Sequence, residues 1–498
     1  MERADPVSEL ALLIRTRHPL ITIETVEEAR AFEFVMRACH RVNLHKFRWS
    51  VTRGLHRTRP QFAEPVMETE EPRRALAHLL HGDLPGIYVF ADLMPHLTTA
   101  VDQRLLREVV EHAERKGQTI ILIEQRLNLP PALERLAVPF DLALPDEAAI
   151  RDLASRTFKE IGEIAHVKVE IKRSELDDLL RNLRGLTTNE VRRAIWRAAL
   201  DDGRIDAADV KGVLQLKQEK LREGGMLEYI EPGIKLDDIG GLNRLKEWLR
   251  LRERALTPEA REFGLAPPRG ILLLGVQGAG KSMCARAVAA AWNLPLLRMD
   301  PGALYDKYVG ESEKQLRRAL RTAEAMAPLV LWIDEIEKGF ASAASQSTDG
   351  GLSQRMFGTL LSWMQDNRAP IFLVATANDI SALPPELMRK GRFDEIFFVD
   401  LPDAPAREQI LAVHLERRKR DPKNFDLKAL AAASDGFSGA ELEQAIVSAL
   451  YAAFAAGTEL STQGLLDELG RTRAISVTMA ERITELRDWA ADRCVPAN

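Results

Sequence analysis

Residues 275–282 have the sequence Gly275-Val276-Gln277-Gly278-Ala279-Gly280-Lys281-Ser282. The apolar run 271–274 precedes this stretch, and an alanine-rich helical pattern follows it at 284–291. A glycine turn between a strand and a helix lets backbone N–H groups surround phosphate oxygens, and the helix N-terminus adds positive potential. We expect Lys281 to reach the β- and γ-phosphates and Ser282 to bind Mg²⁺. The alternative is a glycine turn that binds nothing, but the context favours a nucleotide-binding α/β domain.

Length and composition limit the remaining possibilities. The 498 residues predict about three to four folding units, and 46% apolar residues suffice for sizeable cores. A net charge of −5 does not favour nucleic acid as a partner. The three cysteines (Cys39, Cys284 and Cys494) form no C-x-x-C pair, which argues against a disulfide framework and a zinc site. Because no apolar run approaches ~18 residues, we expect a soluble cytoplasmic protein without a membrane span.

Residues 8–145 alternate short apolar runs with helical patterns. Strands are predicted at 20–24, 47–52, 87–92, 119–123 and 140–144, with helices at 27–41, 73–80 and 101–116. Strands that alternate with helices of this length indicate a parallel sheet covered on both faces.

The first half contains short stretches similar to the second. Residues 129–135 and 140–146 resemble 383–389 and 393–403, and the run ending at Asp92 aligns with the run ending at Asp334. We hypothesise that the first half is a divergent duplicate of the second; the alternative is chance similarity between two α/β sheets. The first half has no glycine turn or lysine after its first strand, and Leu93 stands where the second half has Glu335. We therefore expect no ATP binding or hydrolysis there.

These patterns predict five segments. Residues 1–145 form a degenerate ATPase-like α/β domain, and 146–222 form its helical lid, because 185–190 mirror 436–441. Residues 223–235 form a linker, 236–400 a large ATPase domain, and 401–498 a helical small domain. Within the last segment, Leu486 and Trp489 predict a final amphipathic helix that docks on a neighbouring subunit or on its own lid.

Polar residues follow the apolar strands of the second half. Asp334 and Glu335 end the run 330–333; we expect Asp334 to hold Mg²⁺ through water and Glu335 to orient and deprotonate the attacking water. Asn378 ends the next strand, where it could position water or sense the γ-phosphate, unless it is an ordinary turn residue. Arg389 and Arg392 flank a glycine turn and could stabilise phosphoryl transfer in trans; a solvated basic loop is the alternative.

Six motifs recur in the order found in the AAA ATPase module, which residues 236–450 resemble. The motifs are 238–242, 275–282, 308–313, 333–335 with 375–378, 389–394 and 436–441. Within that family the chain is most similar to the Ycf-type AAA ATPases of plastids, cyanobacteria and other bacteria. The resemblance implies a fold class: a C-terminal AAA+ module (a parallel-sheet phosphate-loop domain plus a helical lid) preceded by a degenerate AAA-like α/β domain with its own lid.

The resemblance also implies roles for individual residues. Arg389 and Arg392 would be arginine fingers that reach a neighbouring subunit's ATP. Tyr308 and Val309 would belong to a pore loop that grips substrate, unless Tyr308 packs against its own domain. The lid has Gly439 and Ala440 where some relatives have an arginine, so its nucleotide sensing would use backbone contacts. The implied nucleotide-binding set comprises Asp238, Ile239 and Gly240 against the adenine, His414 near the ribose or base, residues 275–282 with Met283, and Gly439 with Ala440.

These observations predict a protein that hydrolyses ATP and uses the energy to act on another molecule. Shared active sites imply a ring, most simply a homohexamer, with ATP and Mg²⁺ as cofactors. The leading hypothesis is a protein remodelling or unfolding motor in the cytoplasm, or in the plastid stroma if the gene is plastid-encoded. The alternative is a nucleotide-dependent switch or scaffold whose inactive N-terminal half binds a partner. A nucleic-acid motor is disfavoured by the acidic net charge.

Overall fold

The computed structural model divides into two compact units. The first comprises Met1–Pro145 with Leu186–Arg193, and the second comprises Asp146–Gly185 with Ala194–Asn498. The structure describes residues 6–498 except 41, 43, 59–65, 67, 166–167, 170–172, 202–203, 206–216, 220, 222–224, 232, 256–257, 301–310, 340–351, 381–382 and 390. The domain boundaries given above stay a prediction.

The first unit contains a six-stranded sheet. Its strands are β1 (Leu20–Glu24), β2 (His45–Trp49), β3 (His56–Arg57), β4 (Gly86–Ala91), β5 (Gln118–Glu124) and β6 (Ala137–Pro139). They lie in the order β3-β2-β4-β5-β1-β6, and every pair is parallel except β2 with β3. The last strand lies before the predicted 140–144, because Ala137–Pro139 pair with β1 and Phe140 turns its ring into the core.

Helices cover both faces of this sheet, as the apolar strands predicted. They are α1 (Pro6–Arg15), α2 (Glu28–His40), α3 (Pro72–His81), α4 (Ala100–Lys116) and α5 (Pro131–Glu134). Leu10 of α1 and Val35 of α2 pack in one buried cluster, and Leu76 of α3 and Leu106 of α4 pack in the other. The sheet is therefore the middle of three layers.

The second unit contains a seven-stranded sheet. Its strands are β9 (Leu227–Ile230), β10 (Gly270–Gly275), β11 (Leu296–Met299), β12 (Leu329–Ile333), β13 (Ile371–Ala377), β14 (Glu395–Val399) and β15 (Val495–Pro496). The order is β15-β14-β10-β13-β12-β11-β9, with only β9 antiparallel to its neighbour. Residues 227–230 were predicted to be linker; they form an edge strand because their backbone pairs with β11.

Five parallel strands of each sheet share one order. In the second sheet they read β14-β10-β13-β12-β11, which matches β6-β1-β5-β4-β2 of the first. The antiparallel edge strands differ in chain position, because β9 precedes β10 whereas β3 follows β2. Each sheet even ends on an antiparallel edge strand beside its second parallel strand. The predicted fold class, a phosphate-loop α/β module preceded by a degenerate module of the same type, is confirmed.

The remaining helices lie between and after the strands. They are α6 (Glu147–Ala165), α7 (Arg173–Leu183), α8 (Thr188–Asp201), α9 (Asn243–Arg252), α10 (Pro258–Glu262), α11 (Lys281–Ala291), α12 (Glu311–Met326), α13 (Leu352–Asp366), α14 (Ala404–Arg417), α15 (Leu427–Ala433), α16 (Gly439–Ala455), α17 (Thr462–Arg471), α18 (Ile475–Thr478) and α19 (Ala480–Ala490). A separate two-stranded parallel pair is formed by β7 (Lys168–Val169) and β8 (Arg204–Ile205). Helices α14–α17 share their own buried core, which makes them a separate lid. In the described part of the chain, no helix has the length and apolarity to cross a membrane.

The predicted final helix is present, but it docks on the ATPase sheet of its own chain. Trp489 of α19 packs against the buried cluster on one face of that sheet. Arg487 makes a two-pronged ion pair with Asp400, with both nitrogens 2.9 Å from a carboxylate oxygen. The chain then adds β15 beside β14, and Ala497 is buried against the opposite face. Within the chain the helix therefore packs on the seven-stranded sheet and not on the lid, because β14 offers an open sheet edge; docking on a neighbour stays a prediction.

Candidate nucleotide site

The glycine-rich loop joins β10 to α11 at the carboxyl end of the sheet, as predicted. Gly278 has φ +76°, a left-handed conformation that favours glycine. Gly275 lies so close to β14 that a side chain there would collide with the Val399 carbonyl oxygen. Val276 is buried, Gln277 is exposed, and Met283 packs on the core. The loop therefore points backbone toward the space beyond the strand, as an anion cradle requires.

Lys281 lies buried beneath this loop. Its side chain is 5% exposed, and Nζ donates to the carbonyl oxygens of Gly275 at 2.9 Å and Val276 at 2.7 Å. Burial lowers the pKa of Lys281 to about 8, and the nearby carboxylates of Glu337 and Asp334 oppose that shift. Because neutral carbonyl groups only partly satisfy a buried ammonium, the site fits an added anion such as phosphate.

Asp334 joins the loop to the neighbouring strands. Its Oδ1 accepts hydrogen bonds from Ser282 Oγ at 2.9 Å and from Thr376 Oγ1 at 2.6 Å. A carboxylate beside a hydroxyl offers the oxygen ligands that Mg²⁺ prefers, and Mg²⁺ commonly takes its remaining ligands from water and phosphate. Within the described ranges, no cluster of three or more His, Cys, Asp or Glu side chains could hold a metal unaided. The donor set fits a metal that arrives with a phosphate ligand.

Glu335 lies directly beyond β12 in a left-handed conformation, with φ +48°. Its backbone N–H donates to Thr376 Oγ1 at 2.9 Å, which holds that conformation. Its Oε1 accepts from Asn378 Nδ2 at 2.8 Å, and its Oε2 pairs with Lys338 Nζ at 2.5 Å. The predicted pair Glu335 and Asn378 is thus brought together, and the carboxylate is held at the ends of neighbouring strands.

Three residues in this network were missed by sequence reasoning: Thr376, Glu337 and Lys338. Glu337 is 4% exposed, and its Oε1 accepts from the Asn378 backbone N–H at 3.0 Å. Burial raises the pKa of Glu337 above its ordinary value. The only signal in the sequence was position, since all three lie within three residues of Glu335 or Asn378. Their roles depend on how the turns after β12 and β13 meet.

The segment predicted to contact adenine packs on the lid. A side chain at Gly240 would come within 2.5 Å of Ile410 and 2.9 Å of the Ala406 carbonyl, both on α14. Ile239 is buried, and its carbonyl accepts a hydrogen bond from Lys246 Nζ. Asp238 uses its carboxylate locally, accepting from the Lys235 N–H at 2.8 Å.

The lid brings Gly439 and Ala440 to the phosphate loop. The Ala440 N–H donates to the Gly278 carbonyl at 3.1 Å. His414 instead lies buried within the lid, with Nδ1 3.5 Å from Glu443 Oε1. Burial lowers the pKa of His414, and Glu443 opposes this shift. Its described contacts bind the lid together.

Arg389 and Arg392 lie near the opposite end of the sheet from the phosphate loop. Asp394, two residues after Arg392, accepts from the N–H groups of Arg269 at 2.7 Å and Gly270 at 3.0 Å, where β10 begins. The phosphate loop follows the other end of β10, about 17 Å away at the usual rise of a strand. Arg389 is exposed, and the Arg392 guanidinium donates to the Glu386 carbonyl. Tyr308 and Val309 lie outside the described residues.

The first unit has different chemistry at the corresponding place. Directly after β1, the buried Glu27 carboxylate accepts from the Thr188 N–H at 2.7 Å, from the Thr188 hydroxyl and from Arg30 at 2.9 Å. Asp92 follows β4 with φ +50°, close to the φ of Glu335. The backbone therefore aligns Asp92 with Glu335, one residue away from the predicted alignment with Asp334.

Four family models match this chain. The ATPase family associated with various cellular activities (AAA) matches residues 271–401, and an AAA+ lid domain matches 424–468. The N-terminal and second domains of SpoVK-like AAA ATPases match 6–142 and 148–224. The phosphate loop, Asp334, Glu335 and Asn378 lie within the first of these matches.

Full-length relatives agree with the models. The chain is 34% identical to the uncharacterized AAA domain-containing protein ycf46 of Guillardia theta, over 97% of this chain and 95% of that protein. It is 33% identical to the ycf46 protein of Pyropia yezoensis, over 97% of both chains. A proteasome-activating nucleotidase of Saccharolobus solfataricus is 28% identical over 70% of this chain and 97% of its own length. The chain belongs to the AAA ATPase family and is similar along almost its whole length to the ycf46 proteins of Guillardia theta and Pyropia yezoensis.

Proposed function

We propose that this chain binds ATP with Mg²⁺ and hydrolyses it at the carboxyl ends of β10, β12 and β13. The carrying observation is the hydrogen-bond network that joins Ser282, Asp334, Thr376, Glu335 and Asn378. It connects the phosphate loop to a candidate base through residues on three adjacent strands.

The residues of the chain divide the work. Lys281 exchanges its loop carbonyl partners for phosphate oxygens, and the N–H groups at the start of α11 bind the same anion. Glu335 orients the attacking water and accepts its proton, while Asn378 holds the Glu335 carboxylate in place. Mg²⁺, when bound beside Ser282 and Asp334, neutralises charge on the phosphates.

We infer further that neighbouring copies complete the site. Arg389 and Arg392 lie about 17 Å along β10 from the phosphate loop of their own chain, so they are placed to serve another copy's nucleotide. Phe263 is 84% exposed and Phe454 is 86% exposed, which provides apolar surface for self-association. A homohexameric ring accommodates this head-to-tail arrangement.

A mixing experiment tests the shared site. Chains carrying Lys281→Ala lack the loop lysine but keep their arginines, and chains carrying Arg389→Ala with Arg392→Ala have the opposite defect. Each variant should be inactive alone. The mixture should regain ATP hydrolysis at interfaces where one chain contributes Lys281 and its neighbour contributes Arg389 and Arg392. Inactive mixtures that nevertheless co-assemble would overturn shared sites, and activity of the arginine-free chain alone would do so as well.

The proposed work is remodelling or unfolding of protein. Support comes from the similarity to a relative named proteasome-activating nucleotidase and from the predicted Tyr308 loop. Tyr308→Ala should abolish substrate processing and spare ATP hydrolysis. Undiminished processing by that variant would favour the switch or scaffold alternative, in which ATP sets only the assembly state.

The proposed location is the cytoplasm, or the plastid stroma for a plastid-encoded chain. Cys39, Cys284 and Cys494 are free thiols, which suits a reducing compartment. Fluorescent tagging of the chain in cells checks this location, and a signal confined to a membrane or outside the cell would contradict it.

A further inference from the structure

Glu337 is a buried carboxylate at the candidate site that the mechanism above leaves without a role. It lies two residues after Glu335, in the short helical segment 336–339 that follows β12, and it is 4% exposed. Its Oε2 has no hydrogen-bond partner among the residues that the structure describes. Burying a carboxylate with only partial hydrogen bonding costs stability. The one hydrogen bond that the carboxylate does make, through Oε1, therefore indicates what the residue does at this site.

That other oxygen binds the backbone of Asn378. Oε1 of Glu337 accepts the Asn378 N–H at 3.0 Å, while Asn378 Nδ2 donates to Glu335 Oε1 at 2.8 Å. Asn378, directly after β13, therefore donates to the carboxylates of both Glu335 and Glu337, which follow β12. The bond to the backbone fixes the position of the Asn378 Cα atom. The bond from the Asn378 side chain then fixes the position of the Glu335 carboxylate.

We propose that Glu337 is a positioning residue for ATP hydrolysis, which holds the Asn378 backbone so that the Asn378 amide keeps the Glu335 carboxylate aligned. The inference rests on the proposed hydrolysis at this site. Glu337 acts through Asn378 and makes no contact with the nucleotide in this role. Its effect through Asn378 belongs to kcat, and Glu337→Gln, which also removes the charge near Lys281, controls for any separate effect on ATP affinity.

Steady-state kinetics of the full chain test this role. Glu337→Gln retains a side-chain oxygen for the Asn378 N–H and should keep kcat near that of the wild type. Glu337→Leu removes the acceptor and should lower kcat about 10²-fold, because small misplacements of catalytic groups have effects of that size. Its KM should equal that of Glu337→Gln, since both variants lose the same charge near Lys281. Combining Glu337→Leu with Asn378→Ala should be no slower than Asn378→Ala alone, since both changes break one pathway.

A matched control separates positioning from general stability. Glu324 also accepts a hydrogen bond in this module, from Trp363 Nε1 at 2.9 Å, but belongs to α12 and does not contact Asn378. Glu324→Leu should leave kcat unchanged. If Glu337→Leu fails to fold, Glu337→Asp supplies the test. Its shorter side chain keeps the charge but moves the carboxylate oxygen away from the Asn378 N–H, so its kcat should fall about tenfold.

Hydrogen exchange gives a readout independent of catalysis. Exchange in the peptide covering β13 and Asn378 should be about tenfold faster or more in Glu337→Leu and unchanged in Glu337→Gln. A fully active Glu337→Leu variant, or exchange unaltered by it, would overturn the inference. Absence of hydrolysis in the wild-type chain would instead overturn the proposed function, so the two failures are distinguishable.

Discussion

The two sheets of this protein share the order of five parallel strands and have opposite chemistry after the matching strands β10 and β1. After β10, a glycine loop and the buried ammonium of Lys281 make a cradle for an anion. After β1, the Glu27 carboxylate already fills the corresponding turn and binds the helix start at Thr188. An anion supplied by the chain itself satisfies the same kind of helix N-terminus that a phosphate would.

The comparison extends to the first residues of helices α8 and α16. Thr187 and Glu190 form the same reciprocal cap at the start of α8 that Ser438 and Glu441 form at the start of α16. Past the cap, the Thr188 N–H donates to the Glu27 carboxylate, whereas the Ala440 N–H donates to the Gly278 carbonyl of the phosphate loop. A fold can therefore keep its architecture while a few side chains exchange a ligand site for a closed structural contact.

The largest expected effect is on nucleotide binding. Lys281→Ala removes the buried ammonium of the second half, and we expect the full chain to lose ATP binding completely because the first half contributes none. Isothermal titration should give one site per wild-type chain and none in the variant. Residual stoichiometric binding in Lys281→Ala would show that the first half binds nucleotide after all.

The next effect separates Asp92 and Glu335, the acidic residues with left-handed φ that follow the matching strands β4 and β12. Glu335→Gln should lower kcat by about 10²–10⁴-fold, because it removes the proton acceptor, while ATP remains bound. Asp92→Asn is the matched change in the first half and should leave kcat unaltered. A phosphate-release assay on both variants decides; a comparable loss in Asp92→Asn would give the first half a catalytic role.

A smaller effect concerns the pH dependence of stability in the first half. Burial raises the pKa of Glu124, at the end of β5, to about 7, so the folded state holds a proton that the unfolded chain releases near pH 4.5. Stability should therefore fall as pH rises from about 4.5 to 7, by at most about 3 kcal/mol, and level off above that range. Urea unfolding followed by tryptophan fluorescence, compared between the wild type and Glu124→Gln, measures this change. Glu124→Gln should flatten the profile, and an unchanged slope in that variant would assign the dependence to other groups.

The smallest expected effect tests the closed contact at Glu27. Glu27→Ala leaves the Thr188 N–H and Arg30 without their carboxylate, which should destabilise the first half by about 2 kcal/mol, the usual cost of losing charged hydrogen bonds. ATP affinity of the full chain should not change. Thermal unfolding together with ATP titration checks both points; a gain of a second ATP site in Glu27→Ala would mean that the carboxylate had been blocking a functional cradle.

Sequence reasoning recovered the site where one strand and its turn carried all the information. The loop 275–282 and the pair Asp334 and Glu335 each follow a continuous apolar run, so period and spacing located them. It missed Thr376, Glu337 and Lys338, which depend on the meeting of two turns about forty residues apart in sequence. The position of β6 and the presence of the edge strand β9 also depend on their pairing with β1 and β11, since an edge strand forms only where a neighbouring strand offers its backbone.

By itself, the sequence determined that this chain has two α/β halves and a single glycine–lysine phosphate loop, because glycine, lysine and apolar periodicity act locally. Only the tertiary structure decided how the halves differ. It placed the Glu27 carboxylate against Thr188, some 160 residues later, and it placed Arg389 and Arg392 a strand length from their own loop. It also joined Ser282 to Glu335 through Asp334 and Thr376. Hydrogen bonds and charges act over a few ångströms in space, so distances along the chain do not reveal them.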